Sequence, residues 1–193
     1  MSCRVLSVRA IAPPEALPVS LDTAKLQLRV DGEDDDVLVG EKLAAAIEVA
    51  EKATRRCIAK REWEVVLSEF PSAPFKLPRP PLDDTVAVAV NYTDELGDAA
   101  IADANLFLVE PGEPAVLRLA SGAAWPARLP GSFVRLRFTA GYTAETLPKS
   151  LQDGILVELA TAYAFREDSV IGRLVSAGPR AARSLFLRHR VGA

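Results

Sequence analysis

The amino-acid sequence predicts an α+β protein: a helical bundle with a small antiparallel β subdomain inserted between helices 2 and 3, plus an extended C-terminal arm. Three observations predict it. Apolar residues recur with a 3.6-residue period over residues 20–60 and again over 146–167. Between them, residues 61–143 switch to short alternating or β-branched runs broken by Pro, Gly and Asp. Residues 168–193 carry Gly172, Gly178 and Pro179 and only one short amphipathic stretch, Ala181 to His189.

Residues 1–19 read as an extended N-terminal segment, because Pro13, Pro14 and Pro18 forbid a helix. Ser20 then suits a helix N-cap, with Asp22 in the first turn. Leu21, Ala24 and Leu28 share one face of this short helix, which should end near the Asp31-Gly32 turn. A longer helix is expected from about Asp34 to Cys57, with Val39, Leu43, Ala46, Ile47, Ala50 and Cys57 on its apolar stripe. The acidic run Glu33 to Asp36 at its start and Arg55 and Arg56 at its end both complement the helix dipole.

The β pattern begins where Trp63, Val65 and Leu67 alternate with Glu62, Glu64 and Ser68. Five prolines between Pro71 and Pro81 confine the next stretch to loops or edges. Val86 to Tyr92 reads as a strand, Asp94 to Asp98 as a turn, and Leu106 to Val109 and Ala115 to Leu119 as short strands. Phe133 to Phe138 alternates apolar residues with arginine. Helix returns after Thr146, with Pro148 at a first-turn position and a stripe through Leu151, Ile155, Leu159, Ala162 and Tyr163 to about Arg166.

The 193 residues are 49% hydrophobic and 25% charged, enough for one core or one core with an appendage. A net charge of -3 argues against a general nucleic-acid binder. The charge is unevenly spread. Pro80 to Val116 holds eight carboxylates and no Lys or Arg, whereas Ser169 onward holds five arginines and no carboxylate side chain. An acidic middle and a basic end suggest two contact surfaces. The candidate channel or inter-subunit acidic surface comprises Asp83, Asp84, Asp94, Glu95 and Asp98.

Two cysteines suggest neither a disulfide framework nor a zinc site, and fit a reducing compartment. Prolines interrupt any signal-like run, and no stretch approaches the ~18 apolar residues that cross a bilayer. No membrane partner is expected. His189 is the single histidine, which removes most metal and acid–base schemes. There is no phosphate loop and no nucleophile elbow. The acidic run Asp31 to Asp36 lacks EF-hand spacing and reads as a dipole-matched helix start. Trp63 and Trp125 read as anchors of the β core. Asp83 and Asp84, beside Pro80-Pro81, read as solvated loop charge. No catalytic residue, metal set or cofactor is assigned, and an enzyme is not expected.

At the C-terminal end, Arg180, Arg183, Arg188 and Arg190 flank Leu185 and Phe186. They could contact DNA phosphates, dock on a partner protein, or fray without a partner. Adjacent Leu and Phe favour the docking arm, since a solvated tail has no use for them. The arm should lie outside the main core, so deleting residues 178–193 should spare the fold and abolish docking.

Taken in order, several segments resemble the head–tail connector (adaptor) family of long-tailed bacteriophages, also found in prophages and gene transfer agents. They are Val19 to Gly32 with its opening helix, Glu33 to Asp36 leading into an Ala-rich helix, and the Trp-containing strand Arg61 to Leu67. Leu77-Pro-Arg-Pro-Pro-Leu82 and Val134 to Tyr142, with its Gly-Tyr exit, continue the resemblance, which spans about Val19 to Arg190. The resemblance implies a structural virion protein, a dodecameric ring beneath the portal protein that lines the DNA channel in the neck between head and tail. Its implied partners are the portal protein, a stopper or tail-side neck protein and copies of itself, with DNA passing without specific binding. It implies assembly in the bacterial host cytoplasm and an arm, here Arg180 to Arg190, that reaches the portal. Another neck protein (stopper or tail terminator) and a DNA-binding regulator are the alternatives. Salt-sensitive DNA affinity would mark the last of these.

Overall fold

The computed structural model describes residues 3–164 and 180–192. It divides into two compact units: residues up to Glu15 with Lys60–Gly141, and Ala16–Ala59 with Tyr142 onward. The fold is mixed α+β, with helices in one unit and two antiparallel sheets in the other.

The first unit contains strands β1 (Val5–Ala10), β2 (Arg61–Leu67), β3 (Phe75–Lys76), β4 (Ala89–Thr93), β5 (Ala99–Ile101), β6 (Phe107–Glu110), β7 (Val116–Leu119) and β8 (Val134–Ala140). Five of them form a sheet in the order β1-β2-β8-β4-β5, and three form a second in the order β3-β7-β6. The N-terminal segment is therefore a sheet strand, because its prolines fall after Ala10 and leave Val5–Ala10 free to pair with β2. Trp63, Val65 and Leu67 of β2 stand opposite Phe138, Leu136 and Val134 of β8, so the two alternations put their apolar residues on one buried face. An aromatic chain links the two sheets. Tyr92 meets Phe70 at 5.4 Å, Phe70 stacks on Trp125 at 4.8 Å, and Trp125 lies 5.9 Å from Phe107. The indole N–H of Trp125 donates to the Pro71 carbonyl at 3.0 Å, which satisfies its polar end.

The second unit contains α1 (Leu21–Leu28), α2 (Asp36–Thr54), α3 (Lys149–Ala164) and α4 (Arg180–Arg188). Ser20 caps α1, its Oγ accepting from the Thr23 N–H at 3.2 Å. The helix stops before the Asp31-Gly32 turn, with Arg29 in the left-handed region (φ 56°). Likewise α2 ends at Thr54, short of Cys57, with Arg55 at φ 60°. The early stop has a packing reason: Arg56, Cys57 and Ile58 turn into the core instead of continuing the helix. Glu51 Oε1 accepts from the N–H groups of Ile58 (2.8 Å) and Ala59 (3.2 Å), so a buried carboxylate closes the turn. The Arg56 guanidinium donates to the His189 carbonyl at 2.6 Å and to Tyr142 Oη at 3.0 Å. Residues 165–167, the expected end of the third helix, lie outside the described residues.

One expectation is corrected. The C-terminal segment was expected to stay out of the core, but Ala182 and Phe186 belong to the same buried cluster as Leu43, Ile47, Leu151 and Leu159. Phe186 is 2% exposed, and its ring lies where a Cβ on Gly154 of α3 would sit, 2.6 Å from Cε1. An α3 glycine opens the socket that the ring fills. Periodicity alone could not reveal this, because a nine-residue amphipathic helix reads the same whether its partner is its own chain or another.

Candidate interaction surfaces

The basic segment keeps one face buried and one in solvent. Phe186 is buried and Leu185 half-buried, whereas Arg183, Leu187, Arg188 and Arg190 are exposed. Arg180 begins α4, but its side chain lies outside the description, as do residues 168–179 of the expected arm. The segment is held at its far end by the Val191 N–H, which donates to the Thr54 carbonyl at 3.0 Å. His189 Nε2 also bonds Ser150 Oγ at 2.6 Å.

The five acidic residues do not form one cluster. Asp94, Glu95 and Asp98 share the β4–β5 hairpin turn. There Asp94 Oδ1 accepts from the N–H groups of Leu96 and Asp98, each at 2.9 Å, while Glu95 and Asp98 point outward. Asp83 and Asp84 lie at the other end of β4, where the Asp83 N–H donates to the Thr139 carbonyl of β8 at 2.9 Å. The reading of Asp83 as solvated loop charge is corrected. Its carboxylate is largely buried, pairs with Lys60, and accepts from the Thr85 hydroxyl at 2.6 Å. Burial opposes its ionisation, but Lys60 and Thr85 outweigh that and hold the carboxyl below its usual range. Asp84 is exposed.

A second set of charges escaped the sequence reading. Arg9 of β1, Glu64 of β2 and Arg137 of β8 stand in register across three neighbouring strands. Glu64, one of the polar residues of the β2 alternation, is 1% exposed. Arg9 donates to its Oε1 at 2.6 Å and Arg137 to its Oε2 at 3.1 Å. Burial raises the carboxyl's pKa, but the two guanidiniums outweigh this and hold it below the usual carboxylate range. The Val-Arg-Leu-Arg-Phe alternation of β8 signalled an arginine face; its partner depended on register 73 residues away.

The acidic start of α2 also has structural partners. Asp36 Oδ1 accepts from Lys25 of α1 at 2.5 Å, and Asp35 Oδ2 from the Tyr163 hydroxyl of α3 at 2.5 Å. Among the described residues, no group of three or more His, Cys, Asp or Glu is placed to hold a metal ion, and no helix is long and apolar enough to cross a membrane.

Residues 18–105 match the phage gp6-like head-tail connector protein family, in agreement with the resemblance carried by the sequence. No curated protein matches the chain. Among solved structures, it is similar to a chain in the neck of an empty GTA particle computed with C6 symmetry, with a TM-score of 0.79, 21% identity and 97% of each chain covered. It is also similar to a chain of the virion of a native gene transfer agent particle (TM-score 0.77, 22% identity, 97% of each chain). A chain of the native GTA neck computed with C12 symmetry aligns at TM-score 0.73 and 23% identity, again over 97% of each chain. At these identities the structural likeness establishes a shared fold. The family match itself covers 88 of the 193 residues, 18–105.

Proposed function

We propose that this protein is the head–tail connector (adaptor) subunit of a phage-like particle. Copies form a ring, dodecameric in the assembled neck, that joins the DNA-filled head to the tail and lines the channel. The observation that carries this reading is the family match over residues 18–105. The likeness to neck chains in particles computed with C6 and C12 symmetry supports a ring. In this reading the β unit is an insertion between helices 2 and 3 of the helical unit, completed by the N-terminal strand. The protein acts by assembly and not by turnover. Its neighbours are the portal protein on one side and a stopper or tail-side neck protein on the other. DNA passes the ring without specific binding, since acidic surface in a conduit repels phosphate. The Asp83–Asp84 loop or the β4–β5 hairpin supplies that surface or meets a neighbouring subunit. The ring is assembled in the bacterial host cytoplasm and ends in the virion neck.

The exposed face of α4, with Arg183, Leu187 and Arg188, is the portal-docking surface, extended by Arg190. Deleting residues 178–193 cannot test this, because it also removes Phe186 from the core. Arg183→Glu with Arg188→Glu leaves the buried face intact. Electron microscopy of the protein mixed with its portal protein should show an added ring at the portal's narrow end. The double reversal should remove that ring without changing the thermal melt. No added density with the native protein would overturn the connector reading; docking by the variant would remove α4 from it.

A further inference from the structure

We infer that neighbouring copies of this protein join edge to edge in the β unit, β5 of one copy pairing with β1 of the next. This inference rests on the ring reading above and identifies the contact that closes the ring. β1 and β5 are the two edges of the five-stranded sheet, and among the described residues no strand pairs with the outer side of either. Open edges present unpaired N–H and C=O groups and are normally blunted by charge or proline. Here both edges carry exposed apolar side chains beside their charges. β1 shows Val5, Leu6 and Val8; β5 shows Ile101, 69% exposed, and the hairpin leading into it shows Leu96, 88% exposed.

Charge decides which edge meets which. The β1 edge is basic: Arg4 and Arg9 are exposed, Arg9 at 66% even while bound to Glu64, and no acid lies between Cys3 and Pro14. The β5 edge is acidic: Asp94, Glu95 and Asp98 lead into it, Asp103 follows, and no Lys or Arg lies between Pro80 and Val116. Like edges would therefore repel and unlike edges attract. A contact between two different patches of one subunit is heterologous, the kind that closes a ring.

The topology also sets the direction of pairing. Every neighbouring pair in this sheet is antiparallel. With five strands, β1 and β5 consequently run the same way. Rotation about a ring axis along the strands keeps that direction, so β5 and the neighbour's β1 pair in parallel. Backbone pairing over the three residues of β5 is short, and parallel pairing is the weaker kind. The apolar side chains and the opposite charges supply the remaining affinity.

The test uses the full chain with its portal protein and reads the rings by electron microscopy and denaturing gels. With Cys3→Ser as background, Val5→Cys and Ile101→Cys placed in the same chain should give, on oxidation, a ladder of covalent multimers. Either cysteine alone should give no product beyond dimers. Arg4→Glu and Glu95→Arg should each cut the ring fraction roughly tenfold or more, and together should restore it to within about threefold of native. Rings that form without a ladder and tolerate both reversals would overturn the edge contact and leave the connector reading standing. If the native protein forms no ring on its portal, both fall.

Discussion

The helical unit and the β unit bury polar groups in different ways. In the helical unit, buried Glu51 and Arg56 bond the main chain where it leaves a helix: Glu51 accepts from two N–H groups, and Arg56 donates to a carbonyl as well as to the Tyr142 hydroxyl. They close chain ends around one apolar cluster that runs through all four helices. In the β unit, buried Glu64 serves other side chains, held between Arg9 and Arg137 on the sheet face. The comparison teaches that the helical unit should be sensitive to volume and the β unit to charge.

Phe186→Ala should break the helical side of that contrast most severely. It empties the socket above Gly154, and loss of a fully buried Phe costs about 3–5 kcal/mol. Urea melts should show the loss at every pH between 5 and 8. Preservation of the midpoint would return α4 to the status of a free arm.

Glu64→Gln should break the β side by a smaller amount, about 2 kcal/mol at neutral pH, because both guanidiniums reach solvent and lose only their charge-assisted bonds. The sign with pH follows from the lowered folded-state pKa. The carboxylate's contribution is complete above its unfolded value near ~4.3, and is lost as pH falls through the lower folded value. Melts of native and variant protein should therefore differ at pH 7 and converge in acid. A constant difference down to pH 2 would show that the ion triad is not what the substitution removed.

Ser20→Ala should have the smallest effect, about 1 kcal/mol, from loss of the bond to the Thr23 N–H. Its measurement by thermal melt calibrates the other two, since it changes neither core volume nor net charge.

Much of the secondary structure was readable because each element's apolar period lies within a dozen residues. Ser20 marked its helix, the Leu151–Ile155–Leu159 stripe marked α3, and Trp63–Val65–Leu67 marked β2. Three strands, β1, β3 and β5, have no clear local signature. β3 and β5, of two and three residues, carry no period, and β1 runs Val-Leu-Ser-Val-Arg-Ala with no strict alternation. The candidate surfaces were read less well. Phe186 reads locally as an external anchor but is core; Asp83 reads as solvated but is paired; the Arg9–Glu64–Arg137 row depends on strand register.

By itself, the sequence determined the α+β class, the order of the longer elements, the charge asymmetry and the absence of a recognisable catalytic or metal-binding motif. These are properties of composition and local spacing. Only the tertiary structure decided which polar residues are buried, which apolar helix face is already covered, and which strands remain edges. Each of those depends on contacts between residues tens of positions apart, such as Arg9 with Glu64 and Arg56 with His189. A local pattern shows that a face is apolar or charged; it does not show what the folded chain will place against it.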